Sequence, residues 1–133
     1  MNKVNVGDIL LINRYVDGEK ALSRHSFVVI KSEGGEIQGL EYDVVCNALS
    51  SFKDEEQRKR KLKYPGNFEI SHENSSVPGG NAKDGYIKAE QFYFFNLSKI
   101  NYSVIGKLDA DVLKLLLLFI AGLKVVKYIV DNL

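Results

Sequence analysis

Short apolar runs alternate with turn-forming clusters along most of the chain. Gly7 to Val16, GDILLINRYV, opens with a turn pair and continues as a β-rich stretch. DGEKALS (Asp17 to Ser23) carries an Asp-Gly turn signal and leads to the next strand. HSFVVIK then predicts a strand whose centre, Phe27 to Ile30, is wholly apolar. SEGGE (Ser32 to Glu36) predicts a hairpin connection, and IQGL with YDVVCNAL predicts one long or two short strands ending near Leu49. NFEI (Asn67 to Ile70), GYIKAEQFYFF and INYSVIGKL continue the extended pattern, the last two separated by a polar corner at Asn96 to Lys99. Ser71 to Gly85, with Pro78 and three glycines, predicts a long loop. Strands at this spacing, joined by hairpin signals, favour a small antiparallel barrel over a parallel sheet.

Two segments break the β pattern. KDEEQRKRKLK is acidic first and basic second, an order that suits a short helix because the macrodipole favours anions early and cations late. Near the end, Asp109 is a good N-cap residue, and the run from Ala110 onward predicts one helix over residues 109–131. Val112, Leu115, Leu116, Phe119, Ile120 and Leu123 recur at helical spacing and make one buried stripe. Leu117, Leu118, Val125 and Ile129 widen it beyond what one barrel face covers. The expected organisation is one domain over 1–133: a barrel over 1–107 with a charged insert at 51–85, then the helix. The fold class is mainly β with a C-terminal α-helix (α+β).

Composition narrows the possibilities. The chain has 133 residues, 45% hydrophobic and 26% charged, which fits one globular core. Eighteen Lys and Arg against seventeen Asp and Glu give a net charge of +1, so any case for nucleic acid must come from local patches. A single cysteine, Cys46, excludes an internal disulfide and suits a reducing, cytoplasmic setting. No long apolar h-region opens the sequence, so no signal peptide is expected. The nine-residue run LLLLFIAGL is far short of the about 20 residues a spanning helix needs, so no membrane anchor is expected either. The two histidines lie far apart, no carboxylate motif accompanies them, and no glycine-rich phosphate loop is present; no metal and no cofactor are expected.

One stretch raises a chemical question. RHSFVVIK places Arg24 and His25 at the mouth of an otherwise apolar strand. Four further segments join it in resembling one family in chain order. GDILLINR is similar to a first strand in which Gly-Asp precedes an apolar run. RHSFVVIK resembles the strand where an Arg-Pro pair precedes apolar residues. DVVCNALSS resembles a strand ending at Thr or Ser, GYIKAEQFYFF the strand containing Glu-Gln (Glu90-Gln91), and IGKLDADVLKLLLLFI the final strand leading into the helix. The family is MazF/PemK, the toxin endoribonucleases. The resemblance implies a small antiparallel SH3-like barrel (MazF/PemK/CcdB-like), a homodimer, metal-independent cleavage of single-stranded RNA, and a neutralising antitoxin protein. It also implies a site combining an Arg at the mouth of the second strand with a Thr or Ser after the third. Ser26 stands where the family usually has Pro, so either Arg24 or His25 takes the Arg position. The hydroxyl position falls on Ser50 or Ser51, and the insert from Ser51 to Gly85 is longer than usual for the family.

Metal-free RNA cleavage needs the 2′-OH deprotonated, the phosphate charge stabilised and the leaving oxygen protonated. Histidine moves protons near neutrality, and arginine grips phosphate through two parallel donors. Strand alternation sends adjacent side chains to opposite faces, so Arg24 and His25 share a pocket only if the strand starts after Arg24 or bulges there. The expected catalytic set is His25 as proton carrier, Arg24 as phosphate clamp and Ser50 on the phosphate. Arg14, Ser51, Arg58, Lys59, Arg60, Lys61 and Tyr64 are the expected RNA contacts, with Phe68 a second base-stacking candidate. Plainer readings stand beside each of these. Arg24 and His25 also read as a solvated strand end, Ser50 as a turn residue, and Arg58 to Lys63 as a solvated helix face balanced by Asp54 to Glu56. Cys46 reads as core, and His72 as a solvated loop residue. A catalytically altered barrel that binds RNA or a peptide without cutting is the runner-up function, and a protein that interacts through its apolar helix is the third.

Overall fold

The computed structural model describes residues 4–76 and 83–133. Thirteen strands and two α-helices follow one another along it. They are β1 (Asp8–Ile12), β2 (Tyr15–Asp17), β3 (Lys20–Leu22), β4 (His25–Lys31), β5 (Gly35–Ile37), β6 (Leu40–Tyr42) and β7 (Val44–Ser51), then α1 (Glu55–Lys61). β8 (Asn67–Ile70), β9 (Ser75–Ser76), β10 (Gly85–Lys88), β11 (Gln91–Phe95), β12 (Tyr102–Leu108), α2 (Ala110–Ala121) and β13 (Lys127–Ile129) complete the chain. The centre of the predicted loop, residues 77–82, lies outside the described residues.

The main sheet runs β13-β11-β7-β4-β1-β12-β9, with β10 joined to β7 and β8 to β10. It is antiparallel except for β13, which runs parallel to β11, and it curls into a half-barrel. β7 is its axis. Along one side it pairs with β4. Along the other its first half pairs with β11 and its second half with β10. Asn47 sits at that changeover, fully buried, and donates from Nδ2 to the Gln91 carbonyl at 2.9 Å. An amide is needed there because the break between β10 and β11 leaves carbonyls with no ladder partner. Gly85 lets β10 lie close at the far end: a Cβ at this position would strike the Ser50 carbonyl oxygen.

Alternation along the strands divides the apolar residues between two faces. Leu10, Ile12, Phe27, Val29, Val44, Cys46, Ala48, Tyr93 and Phe95 fill the inside of the curl. Ile9, Val28 and Ile87 point outward and are covered by α2 through Leu116, with Val112, Phe119 and Ile120 beside it. Val45 and Phe94 also point outward, beneath Tyr42 and the last residues, Val130 and Leu133.

β4 spans the predicted HSFVVIK, and β8 the predicted NFEI. α1 has the predicted polarity: Asp54 is its N-cap and accepts from the Gln57 backbone N–H, with Glu55 and Glu56 in its first turn. Three expectations are corrected. The helix predicted over 109–131 stops at Ala121, where Gly122 caps it. The following residues turn back into β13, because Val125, Val126, Ile129 and Val130 are β-branched and find an open edge at β11. Asp109 holds the N-cap position of α2 but makes no side-chain capping bond. Finally, the hairpin predicted at SEGGE turns at Gln38 and Gly39 instead, both at positive φ, as a two-residue connection between β5 and β6.

Candidate functional site

β4 begins at His25, so Arg24 stands just outside the ladder and is exposed. His25 and Phe27 share the inward face, and across the sheet so do Ala48 and Ser50. Each side chain is placed by the strand order alone, and the two polar ones meet at the open end of the curl. His25 Nε2 lies 3.4 Å from Ser50 Oγ, part-buried. This contact is looser than a well-formed hydrogen bond.

The walls around the pair are aromatic. Tyr15, carried on the small β2–β3 hairpin, lies against the His25 ring at 6.0 Å and edge-on to Phe27 at 5.0 Å. Tyr93 stands behind them and donates its hydroxyl to Asp17 Oδ2 at 2.9 Å. Burial pushes the Tyr93 phenol well up, and its bond to Asp17 adds to this, so it remains a donor. The C-terminal segment clasps the same hairpin. Asn132 accepts from the Val16 N–H at 2.6 Å and donates to the Val16 carbonyl at 3.0 Å, while Asp131 accepts from the Gly18 N–H at 3.0 Å.

Burial holds the His25 ring below its ordinary value of 6.5. The charge of Lys88 lowers it further, and a hydrogen bond with the Leu49 backbone opposes both. A ring neutral at pH 7 is able to accept a proton. Lys88 enters the site through β10: Tyr86 is the register partner of Ser50, and Lys88 lies two residues further on the same face. Sequence reasoning missed Lys88 and Tyr86. The signal was present in the alternation of GYIK, which puts both on one side once β10 is paired with β7.

The other expected residues divide. Ser51 ends β7, exposed and opposite Gly85. Arg14 is exposed between β1 and β2. Arg58 is occupied by carboxylates, reaching Glu69 at 2.7 Å and Glu55 at 3.1 Å. Lys59 and Arg60 are exposed on α1, and Tyr64 beyond it is 56% exposed. Lys61 alone of this run turns toward the site, with its ammonium 6.0 Å from the Tyr86 ring centroid. Phe68 is not available for stacking on a base; it packs edge-on against Phe119 of α2 at 5.3 Å. His72 is tied to Asp84, which accepts from its backbone N–H at 2.7 Å and contacts its ring nitrogen at 3.0 Å. The Cys46 thiol is fully buried, and burial pushes it far above its ordinary range. Among the described residues, no three of His, Cys, Asp and Glu gather as a metal-binding group, and no helix is long and apolar enough to cross a membrane.

Compared with protein-family models and with curated proteins, the sequence finds no match.

Proposed function

We propose that the protein is a metal-independent endoribonuclease that cuts single-stranded RNA, a toxin of the MazF/PemK kind acting in the cytoplasm. The observation that supports this best is the meeting of His25 and Ser50 at 3.4 Å on one face of a curled sheet, 25 residues apart in sequence. The cation of Lys88 beside them and the exposed Arg24 at the strand mouth add phosphate-binding charge.

In this reading His25 Nε2 takes the proton of the 2′-OH, and the freed oxygen bonds to phosphorus. Ser50 donates to a phosphate oxygen, and Lys88 and Arg24 balance the negative charge that builds there. The bond from phosphorus to the 5′-oxygen breaks, and that oxygen takes up a proton from water. The products are a cyclic 2′,3′-phosphodiester and a free 5′-hydroxyl. Arg14, Ser51, Lys59, Arg60 and Lys61 hold the flanking phosphates. A homodimer and an antitoxin belong to the same proposal. They are supported by the apolar surface that α2 leaves open, where Leu115 is 58% and Leu118 62% exposed.

The test is incubation of the purified protein with single-stranded RNA in EDTA. Cleavage to 5′-hydroxyl ends that is lost in His25→Ala supports the proposal. RNA left intact, but retained on the protein in a salt-dependent way, selects instead a barrel that binds without cutting.

A further inference from the structure

Next to Ser50 the structure carries an aromatic step that the cleavage chemistry does not use. Phe52 follows β7 two residues after Ser50, and its ring stacks on Tyr86 with centroids 5.3 Å apart and an interplanar angle of 29°. Tyr86 is itself the register partner of Ser50. It is buried, whereas Phe52 is only half-buried. A fixed floor therefore supports a ring that still meets solvent. The Lys61 ammonium stands over the same floor, 6.0 Å from the Tyr86 centroid. Ser50 and Phe52 lie on one side of the chain, about 6.6 Å apart by strand rise. A sugar and its phosphate bridge a gap of that size.

The geometry points to a nucleobase subsite formed by Phe52 on Tyr86, with Lys61 as its phosphate contact, which takes the base next to the scissile phosphate. This inference rests on the reading of the His25–Ser50 pair as an RNA site. An aromatic face binds bases because every base has a π-surface, so this subsite contributes affinity with little sequence preference. An isolated core aromatic has no need of a cation above it or of an open edge. Phe52 and Tyr86 have both, and they stand where a strand seated at Ser50 must continue. Tyr64 is exposed but makes no stacking contact among the described residues, and Phe68 is covered by α2. The base-binding role expected of those two thus passes to Phe52.

The test uses a fluorescently labelled 2′-O-methyl oligonucleotide, which binds but has no free 2′-OH to react. Its anisotropy is titrated with wild type, Phe52→Leu, Phe52→Trp and Lys61→Gln. Leucine keeps the apolar contact with Tyr86 but has no π-face, so Phe52→Leu is expected to weaken binding about 5- to 100-fold with an unchanged melting temperature. Phe52→Trp is expected to bind as tightly as wild type or tighter. Lys61→Gln is expected to lower the slope of log affinity against log salt by about 0.7, a readout that holds even if the Phe52 variants fail to fold. A folded Phe52→Leu that binds like wild type overturns the subsite, as does an unchanged salt slope in Lys61→Gln. A Phe52 effect on binding in a protein that does not cut RNA keeps the subsite and removes only the cleavage reading. A wild type that binds no oligonucleotide removes both.

Discussion

His25 Nε2 and Ser50 Oγ lie 3.4 Å apart because β4 and β7 pair in a register that sets Phe27 opposite Ala48. Each polar residue is then one alternation step beyond that apolar pair, at the end of the strand ladder. If His25 carries the proton, His25→Ala abolishes cleavage, and Ser50→Ala lowers it by about 10- to 1,000-fold by removing a donor to the phosphate. Single-turnover rates on a labelled RNA measure both. Full activity in His25→Ala sinks the site assignment.

The pH dependence follows from the surroundings of His25. Burial first, and Lys88 second, hold its pKa below 6.5 in the folded protein. The base form therefore persists below pH 6.5, and the acid limb of kcat/KM against pH is expected there. Lys88→Gln removes one of the lowering causes, so it moves that limb to higher pH. The same shift has a stability consequence. The folded state disfavours the imidazolium relative to the unfolded chain, so the contribution of this group is present above pH 6.5 and is lost as pH falls below it. An acid limb that Lys88→Gln leaves in place contradicts this account.

Asn132 joins the C-terminal segment to the hairpin that carries Tyr15. Asn132→Ala leaves the Val16 N–H and carbonyl without their partner. A loss of about 1–3 kcal/mol is expected from denaturant melts. Faster amide exchange at Val16 than in the central strand β4 would place that loss in the hairpin. Exchange raised uniformly across the sheet would instead mean that the clasp supports the whole fold.

The two sides of α2 make opposite predictions. Leu116 is fully buried against Ile9, Val28 and Ile87, and Leu116→Ala is expected to cost about 2–5 kcal/mol. Leu118 is exposed on the other side, and Leu118→Lys is expected to change monomer stability by less than about 0.5 kcal/mol. If that face seats a second copy, Leu118→Lys lowers the mass measured by light scattering while leaving the melting temperature of dilute protein unchanged.

Where one local signal dominated, the sequence was readable. HSFVVIK is an apolar run between polar ends, and Asp54 with its acidic-then-basic sequel marks α1 on capping and dipole grounds alone. Where two signals competed, it was not. Between Ser32 and Tyr42 the chain offers both Gly34-Gly35 and Gln38-Gly39 as turns. Only the pairing of Gly35 with Tyr42 decides between them, and that is a contact rather than a local preference. In the last third, a mostly apolar composition hid the change at Gly122 from helical spacing to β-branched residues. The site shows the same limit. His25 and Ser50 stand out by chemical type, whereas Lys88 and Tyr86 become neighbours of Ser50, and Phe52 gains Tyr86 as its stacking partner, only when β10 pairs with β7.

β13 has a significance beyond closing the fold. β11 is Gln-Phe-Tyr-Phe-Phe, five residues with four aromatics and no charge, held on one side by β7. Left open on the other side, such a strand is a template for stacking identical segments from many chains. Lys127 to Ile129 occupy that edge in parallel register, and Lys127 adds a charge at the border. β13 thus covers the Gln91 to Tyr93 part of that edge. Variants that loosen β13 are accordingly expected to form thioflavin-positive aggregates before they lose the rest of their structure.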